Sequence, residues 1–140
     1  YMNIYFAASI RGGREGSNIY FKIIKHLESF SCVLTEHIGS QELTSDGESL
    51  LSDKSIYKRD LKWLKTADCV IAEVTSPSLG VGYEIGIAEK LNLPILCLYN
   101  KHLQKKISAM LLGNNKVVCK SYSSMEMAKK EINSFIKIYF

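Results

Sequence analysis

Short apolar runs alternate along this chain with stretches whose apolar residues recur every three to four positions. Met2 to Ala8 reads as a strand, and Ile19, Tyr20, Ile23, Ile24 and Leu27 then follow at helical spacing. Cys32 to Thr35 makes a short second strand. Residues 36–52, rich in Gly, Ser, Thr and acids, read as a long loop, and loops of that length usually carry function or move. The spacing predicts a helix over 53–66 with Ile56, Tyr57, Leu61 and Leu64 inward. Ala67 to Val74 is almost wholly apolar, as a parallel strand buried on both faces should be. A Pro/Ser/Gly turn and a helix to about Leu91 come next, then a strand over Pro94 to Tyr99. Residues 104–112 suggest a short helix ended by Gly113, and Lys116 to Cys119 a weak fifth strand. The last helix sets Ala128, Ile132, Phe135, Ile136 and Tyr139 on one face.

Strand alternating with helix implies a parallel sheet with right-handed crossovers. The predicted fold is α/β: a single-domain, doubly wound, five-stranded parallel sheet of flavodoxin-like or Rossmann-like type flanked by helices, spanning residues 2–140. Tyr1, ahead of Met2, is left out of the reading. In such sheets ligands bind at the carboxyl ends of the strands. That rule singles out Ser9–Gly13, residues 35–42 and Thr75–Glu84.

Composition narrows the field. The chain has 140 residues and a net charge of +4, too mild for the basic stripe of a nucleic-acid binder and compatible with a phosphate-bearing ligand. Most of its lysines read as ordinary solvated charge. Cys32, Cys69, Cys97 and Cys119 form no C-x-x-C pair and each neighbours an aliphatic residue, so they read as small buried apolar residues of a reduced compartment. No apolar run approaches the roughly 18 residues of a membrane span, and no signal-peptide pattern is visible. His26, His37 and His102 are widely spaced without ligand spacing, so neither a metal site nor a cofactor is expected.

Two segments carry candidate chemistry. Ser9-Ile10-Arg11-Gly12-Gly13-Arg14 follows the first strand, where glycines and a helix start can cradle an anion. On turn chemistry alone, a plain tight turn serves as well. Ser78, Gly80 and Glu84 lie after the central strand. A glutamate near a helix start is often only a partner of the helix dipole. Here, however, it stands among Val81, Ile85, Ile87, Ala88 and Leu91, and a carboxylate among apolar residues needs a purpose or a partner. Asp60 shares the inward face of Ile56 and Leu64. An ion pair with Lys58, Arg59 or Lys62 is disfavoured, because residues one or two positions apart do not face each other on a helix. Two carboxylates converging on one cleft is the arrangement that breaks glycosidic bonds. Glu73, at the end of the third strand, is a reserve candidate.

Five ordered blocks then add up to a resemblance: Tyr5 to Glu15, Val33 to His37, Asp60 to Leu64, Ala72 to Thr75, and Pro77 to Gly86. They closely resemble the 2'-deoxynucleoside 5'-phosphate N-hydrolases of the nucleoside 2-deoxyribosyltransferase superfamily. Ser108-Ala109-Met110 matches as well. The resemblance implies that Glu84 is the nucleophile that forms a covalent 5-phospho-2-deoxyribosyl intermediate, that Asp60 assists departure of the base, and that Tyr5 stands beside the nucleophile. It places Ser9, Ile10, Arg11 and Gly12 at the substrate, with Ser78 and Gly80 at its 5'-phosphate; His37, in the second loop, is a further candidate substrate contact, although a lone loop His is more often a surface residue or structural donor. Ser108 and Met110 match a segment that reaches the neighbouring subunit's site, so a homodimer with shared sites is implied. The implied compartment is the cytoplasm, with the nucleus also open.

One position discriminates within the superfamily. Relatives that use unphosphorylated nucleosides carry an Asp six residues before the nucleophile, where this chain has Ser78. An Asp would repel a phosphate, whereas a hydroxyl beside glycine N–H groups can donate to it. The expected substrate is therefore a 2'-deoxynucleoside 5'-monophosphate, cleaved to free base and 2-deoxyribose 5-phosphate. A deoxyribosyltransferase and a non-catalytic nucleotide-binding module are the alternatives. The second fits less well, since an anion-binding module gains nothing from two carboxylates.

Overall fold

The computed structural model describes residues 2–10, 17–35, 51–104 and 106–140. Five parallel strands form one sheet in the order β2-β1-β3-β4-β5, with β1 at Met2–Ala8, β2 at Ser31–Val33, β3 at Cys69–Glu73, β4 at Ile95–Asn100 and β5 at Val117–Tyr122. The helices are α1 (Ser17–Glu28), α2 (Asp53–Thr66), α3 (Leu79–Lys90), the single turn α4 (Ala109–Leu112) and α5 (Met125–Tyr139). The expected doubly wound α/β sheet is present. Its strand order reverses between β1 and β3, and the crevice beyond their carboxyl ends is where such sheets hold ligands.

Strand alternation divides the interior into two layers. Ile4, Phe6, Ile71, Leu96 and Leu98 meet Tyr20, Ile23 and Leu27 of α1 and Ala128, Ile132 and Phe135 of α5 on one face. Tyr5, Ala7, Val70, Ala72 and Cys97 meet Leu64 of α2 and Val81, Ile85 and Ala88 of α3 on the other. Serines start the helices: Ser52, Ser78, Ser108 and Ser124 each accept a hydrogen bond from a backbone N–H in the first turn.

Several elements differ from the sequence expectation. The second strand runs Ser31–Val33, not Cys32–Thr35. Thr35 lies beyond it, where its buried hydroxyl accepts from the Phe6 N–H at 3.0 Å and donates to the Phe6 carbonyl at 2.5 Å, continuing the link to β1 by side chain. As β2 is an edge strand, its middle residue Cys32 faces outward and is exposed, and Cys119 is only half-buried; Cys69 and Cys97 are buried as expected. Tyr57 and Tyr139, expected inward, are 51% and 47% exposed. Both rings lie on another aromatic ring, Tyr57 on Tyr83 and Tyr139 on Phe135, at centroid distances of 6.5 and 5.1 Å. The helix expected over 104–112 shrinks to α4. The fifth strand runs three residues further than expected, to Tyr122.

That extension has a cause. Tyr122 donates its phenolic hydrogen to the Glu73 carboxylate, which also accepts from the Thr75 backbone N–H at 2.9 Å and the Thr75 hydroxyl at 2.7 Å. The Thr75 oxygen in turn accepts from the Asn100 N–H at 2.9 Å. One buried carboxylate thus ties together the carboxyl ends of β3, β4 and β5. Burial pushes its pKa up, while the three donors oppose that rise. Tyr122→Phe should lower stability by about 1–2 kcal/mol in denaturant unfolding, because it strips a donor from a buried carboxylate.

Candidate active site

The central feature is a hydrogen bond between β1 and α3: the Tyr5 phenol donates to the Glu84 carboxylate. Tyr5 is 1% exposed in the layer under α2 and α3. Glu84 lies in the second turn of α3, past the first-turn positions that partner a helix dipole. The N-cap is Ser78 instead. The position of Glu84 follows from periodicity: Val81, Ile85 and Ala88 must face the sheet, and Glu84 sits at the edge of that stripe.

Burial dominates the electrostatics. Desolvation raises the Glu84 pKa to about 7; the Tyr5 hydrogen bond lowers it, Asp60 raises it and Arg59 lowers it. The Tyr5 phenol is pushed far above its ordinary value, first by burial and then by Glu84 and Asp60, so it remains a donor at every ordinary pH. Asp60 on α2 is therefore close enough to act on both, and three elements converge on one pair of carboxylates.

Asp60 does have an ion pair, contrary to the sequence expectation. The Arg59 Nε and Nη2 atoms each stand 3.0 Å from Asp60 Oδ1. Helix geometry alone would hold neighbouring residues apart. The arginine is long enough to fold back, with its guanidinium 4.7 Å from the centre of the Trp63 ring one turn later. The Arg59/Trp63 spacing of four was the signal in the sequence that could have revealed it. Glu73, the reserve candidate, is placed on the opposite face of the sheet by strand alternation and serves the clasp with Tyr122.

Ser78 and Gly80 open α3. The Ser78 hydroxyl oxygen accepts from Val81 N–H at 3.3 Å, which leaves its own hydrogen to donate. Nothing crowds Gly80 beyond the Ser78 oxygen, 3.8 Å from where a Cβ would be. Ser9, just past the end of β1, is fully buried, and its hydroxyl has no partner among the described residues. The Ile10 side chain packs against the α1/α5 core layer. Arg11, Gly12, His37 and residues 36–50 of the expected long loop lie outside the described residues. Ser108 and Met110 are not brought to Glu84. They border a cleft of about 880 Å³ between α3 and residues 104–114, which Ser78, Leu79, Gly82 and Tyr83 also line and Glu84 does not. Among the described residues no three His, Cys, Asp or Glu side chains gather as a metal site, and no helix is long and apolar enough to cross a membrane.

The model of the nucleoside 2-deoxyribosyltransferase family matches residues 4–131. The chain belongs to that family. It is 42% identical over 139 residues to a 5-hydroxymethyl-dUMP N-hydrolase of Danio rerio, covering 99% of this chain and 96% of the relative. It is likewise 42% identical over 139 residues to the mouse (Mus musculus) protein of the same name, covering 99% and 79%. Among solved structures, the Clostridium botulinum CMP N-glycosidase BcmB shares the fold with a TM-score of 0.66 at 19% identity, over 95% of this chain and 98% of that one. Within the family frame, Tyr5 and Glu84 bridge the first strand and the helix after the third.

The causes of the Glu84 shift can be separated by titration. In carboxyl-labelled NMR, Tyr5→Phe should raise the Glu84 midpoint, because it removes a donor to the charged form. Asp60→Asn should lower it, because it removes a like charge.

Proposed function

We propose that this chain hydrolyses the N-glycosidic bond of 2'-deoxynucleoside 5'-monophosphates, releasing free base and 2-deoxyribose 5-phosphate. The observation that carries the reading is the Tyr5–Glu84 contact: a carboxylate desolvated to a pKa near 7, oriented by a phenol, with a second carboxylate nearby. The relatives' names, 5-hydroxymethyl-dUMP N-hydrolase, point to the same bond and the same phosphorylated, 2'-deoxy substrate class.

In the proposed mechanism the ionised Glu84 attacks C1' of the sugar. The C1'–N bond breaks, its electron pair leaves with the base, and Asp60 assists that departure by handling the proton that the base takes up. Water then attacks C1', Glu84 leaves as carboxylate, and the water's proton replaces the one the base took up. Partial burial makes the carboxylate a better nucleophile than a solvated one, and the Tyr5 phenol fixes which oxygen points outward. The 5'-phosphate would lie at the start of α3, where the Ser78 hydroxyl donates and the backbone N–H groups around Gly80 add the positive end of a twelve-residue helix. Ser9 would stand on the sugar side at the end of β1, with the Ile10 backbone, Arg11, Gly12 and His37 as further contacts.

A homodimer belongs to the same reading. Ser108 and Met110 stand apart from Glu84 of their own chain, and Met110 is 81% exposed and Leu79 96% exposed at the cleft beside α3. A second copy covering this apolar cleft would bring its Ser108 and Met110 toward the site. The expected compartment is the cytoplasm, the nucleus also being open to it.

Purified chain should release base and sugar phosphate from a panel of deoxynucleoside monophosphates that includes 5-hydroxymethyl-dUMP, and Glu84→Gln should abolish turnover. Intact nucleotide after prolonged incubation with the whole panel would refute the hydrolase. Added free base should not appear in new nucleotide, which separates hydrolysis from transfer. Ser78→Asp retains a good helix cap but sets a negative charge at the phosphate, so kcat/KM for monophosphates should fall roughly 100-fold or more. For the dimer, mixing Glu84→Gln with a Ser108→Ala/Met110→Ala double variant should restore part of the activity that each lacks alone.

A further inference from the structure

Arg59 enters none of the roles assigned so far, yet it touches the site from an unusual position. Its guanidinium is held on two sides: by the Trp63 ring, 4.7 Å from its centre, and by Asp60 Oδ1, 3.0 Å from both Nε and Nη2. The Trp63 ring is half-buried against the α2/α3 core layer, so the stack has a fixed base. The ion pair is itself largely shielded, its side chains 24% and 23% exposed. Arginine suits such a place because its flat face stacks while its edge donates.

Among the described residues, the groups near it include Asp60 on the same helix, Tyr5 from β1 and Glu84 from α3, and the Arg59 charge acts on both of the latter. Two carboxylates brought into one partly desolvated space repel, and each makes the other harder to ionise. The proposed chemistry needs Glu84 ionised.

We propose that Arg59 is a positioning residue of the reaction: stacked on Trp63, it fixes the Asp60 carboxylate and supplies the positive charge that lets Glu84 stand ionised in the same site. The inference rests on the reading of Glu84 as the nucleophile, but its electrostatic part can be tested without turnover.

The experiment compares wild type, Arg59→Gln and Arg59→Lys in two measurements. Carboxyl-labelled NMR titration of Glu84, with Glu84→Gln as the assignment control, reads the charge directly. Its midpoint should rise in Arg59→Gln and return toward wild type in Arg59→Lys. The pH profile of kcat on a deoxynucleoside monophosphate reads the consequence. The acidic limb of Arg59→Gln should move up with the midpoint and kcat should fall more than KM rises. Arg59→Lys should recover the limb and only part of kcat, since it keeps the charge and loses the fork and the flat face. A wild-type midpoint and a wild-type acidic limb in Arg59→Gln, whatever its thermal stability, would overturn the proposal and leave the hydrolase standing. If wild type turns over no nucleotide, the hydrolase reading fails, and the titration still decides whether Arg59 sets the charge of Glu84.

Discussion

A carboxylate drawn into the apolar layer between the sheet and α3 is the constraint around which the site is arranged. Glu84 keeps a pKa near 7 because desolvation outweighs the Tyr5 hydrogen bond. Tyr5 must then be buried, on the middle of a central strand, and must stay protonated, which its burial ensures. Asp60 adds a like charge from α2, and Arg59 offsets it. Each of these side chains comes from an element that the core has already fixed. Their relative placement is thus a product of sheet and helix packing rather than of a mobile loop, which is the condition for a preorganised site.

The two faces of the sheet treat buried carboxylates in opposite ways. Glu73 and Glu84 both lie at the carboxyl-terminal side of β3, and burial raises the pKa of each. Glu73 accepts from Tyr122 and twice from Thr75, so its lone pairs are engaged and it joins strand ends. Among the described residues, Glu84 has one phenolic donor, on one oxygen. A carboxylate with satisfied acceptors is a structural tie; one held from a single side keeps reactivity. This difference in donors separates the clasp from the candidate nucleophile.

Much of this was legible in the sequence, and the failures share a cause. Apolar periodicity located each described strand and the four longer helices to within a few residues, because buried central strands and amphipathic helices leave strong patterns, whereas the short helix expected over 104–112 is a single turn. Tyr5, Asp60 and Glu84 were singled out and are brought together. The errors fall where a side chain finds a partner that the pattern does not encode. Tyr57 and Tyr139 obey helical spacing yet stack on Tyr83 and Phe135 outside the buried stripe. The fifth strand continues through polar Lys120 and Ser121 because Tyr122 is anchored by Glu73, which lies 49 residues away. Arg59 was set aside on helix geometry, which describes where Cβ atoms point and not where a long guanidinium ends.

Helix α3 shows how the remaining surface follows from the same constraint. Its inner stripe of Val81, Ile85 and Ala88 is committed to the sheet, and its serine cap and glycines keep its first turn open. The outward positions nevertheless carry Leu79 and Tyr83, exposed at the edge of the cleft that Met110 also borders. A helix that is apolar on both sides is costly to leave half in water. Polar residues on that outer side would have served a monomer better. An apolar outer side instead suits a helix whose far face is to be covered, in the proposed homodimer, by a second copy. Covering it would also remove water from the start of α3, the very place assigned to the phosphate, and would strengthen every hydrogen bond made there.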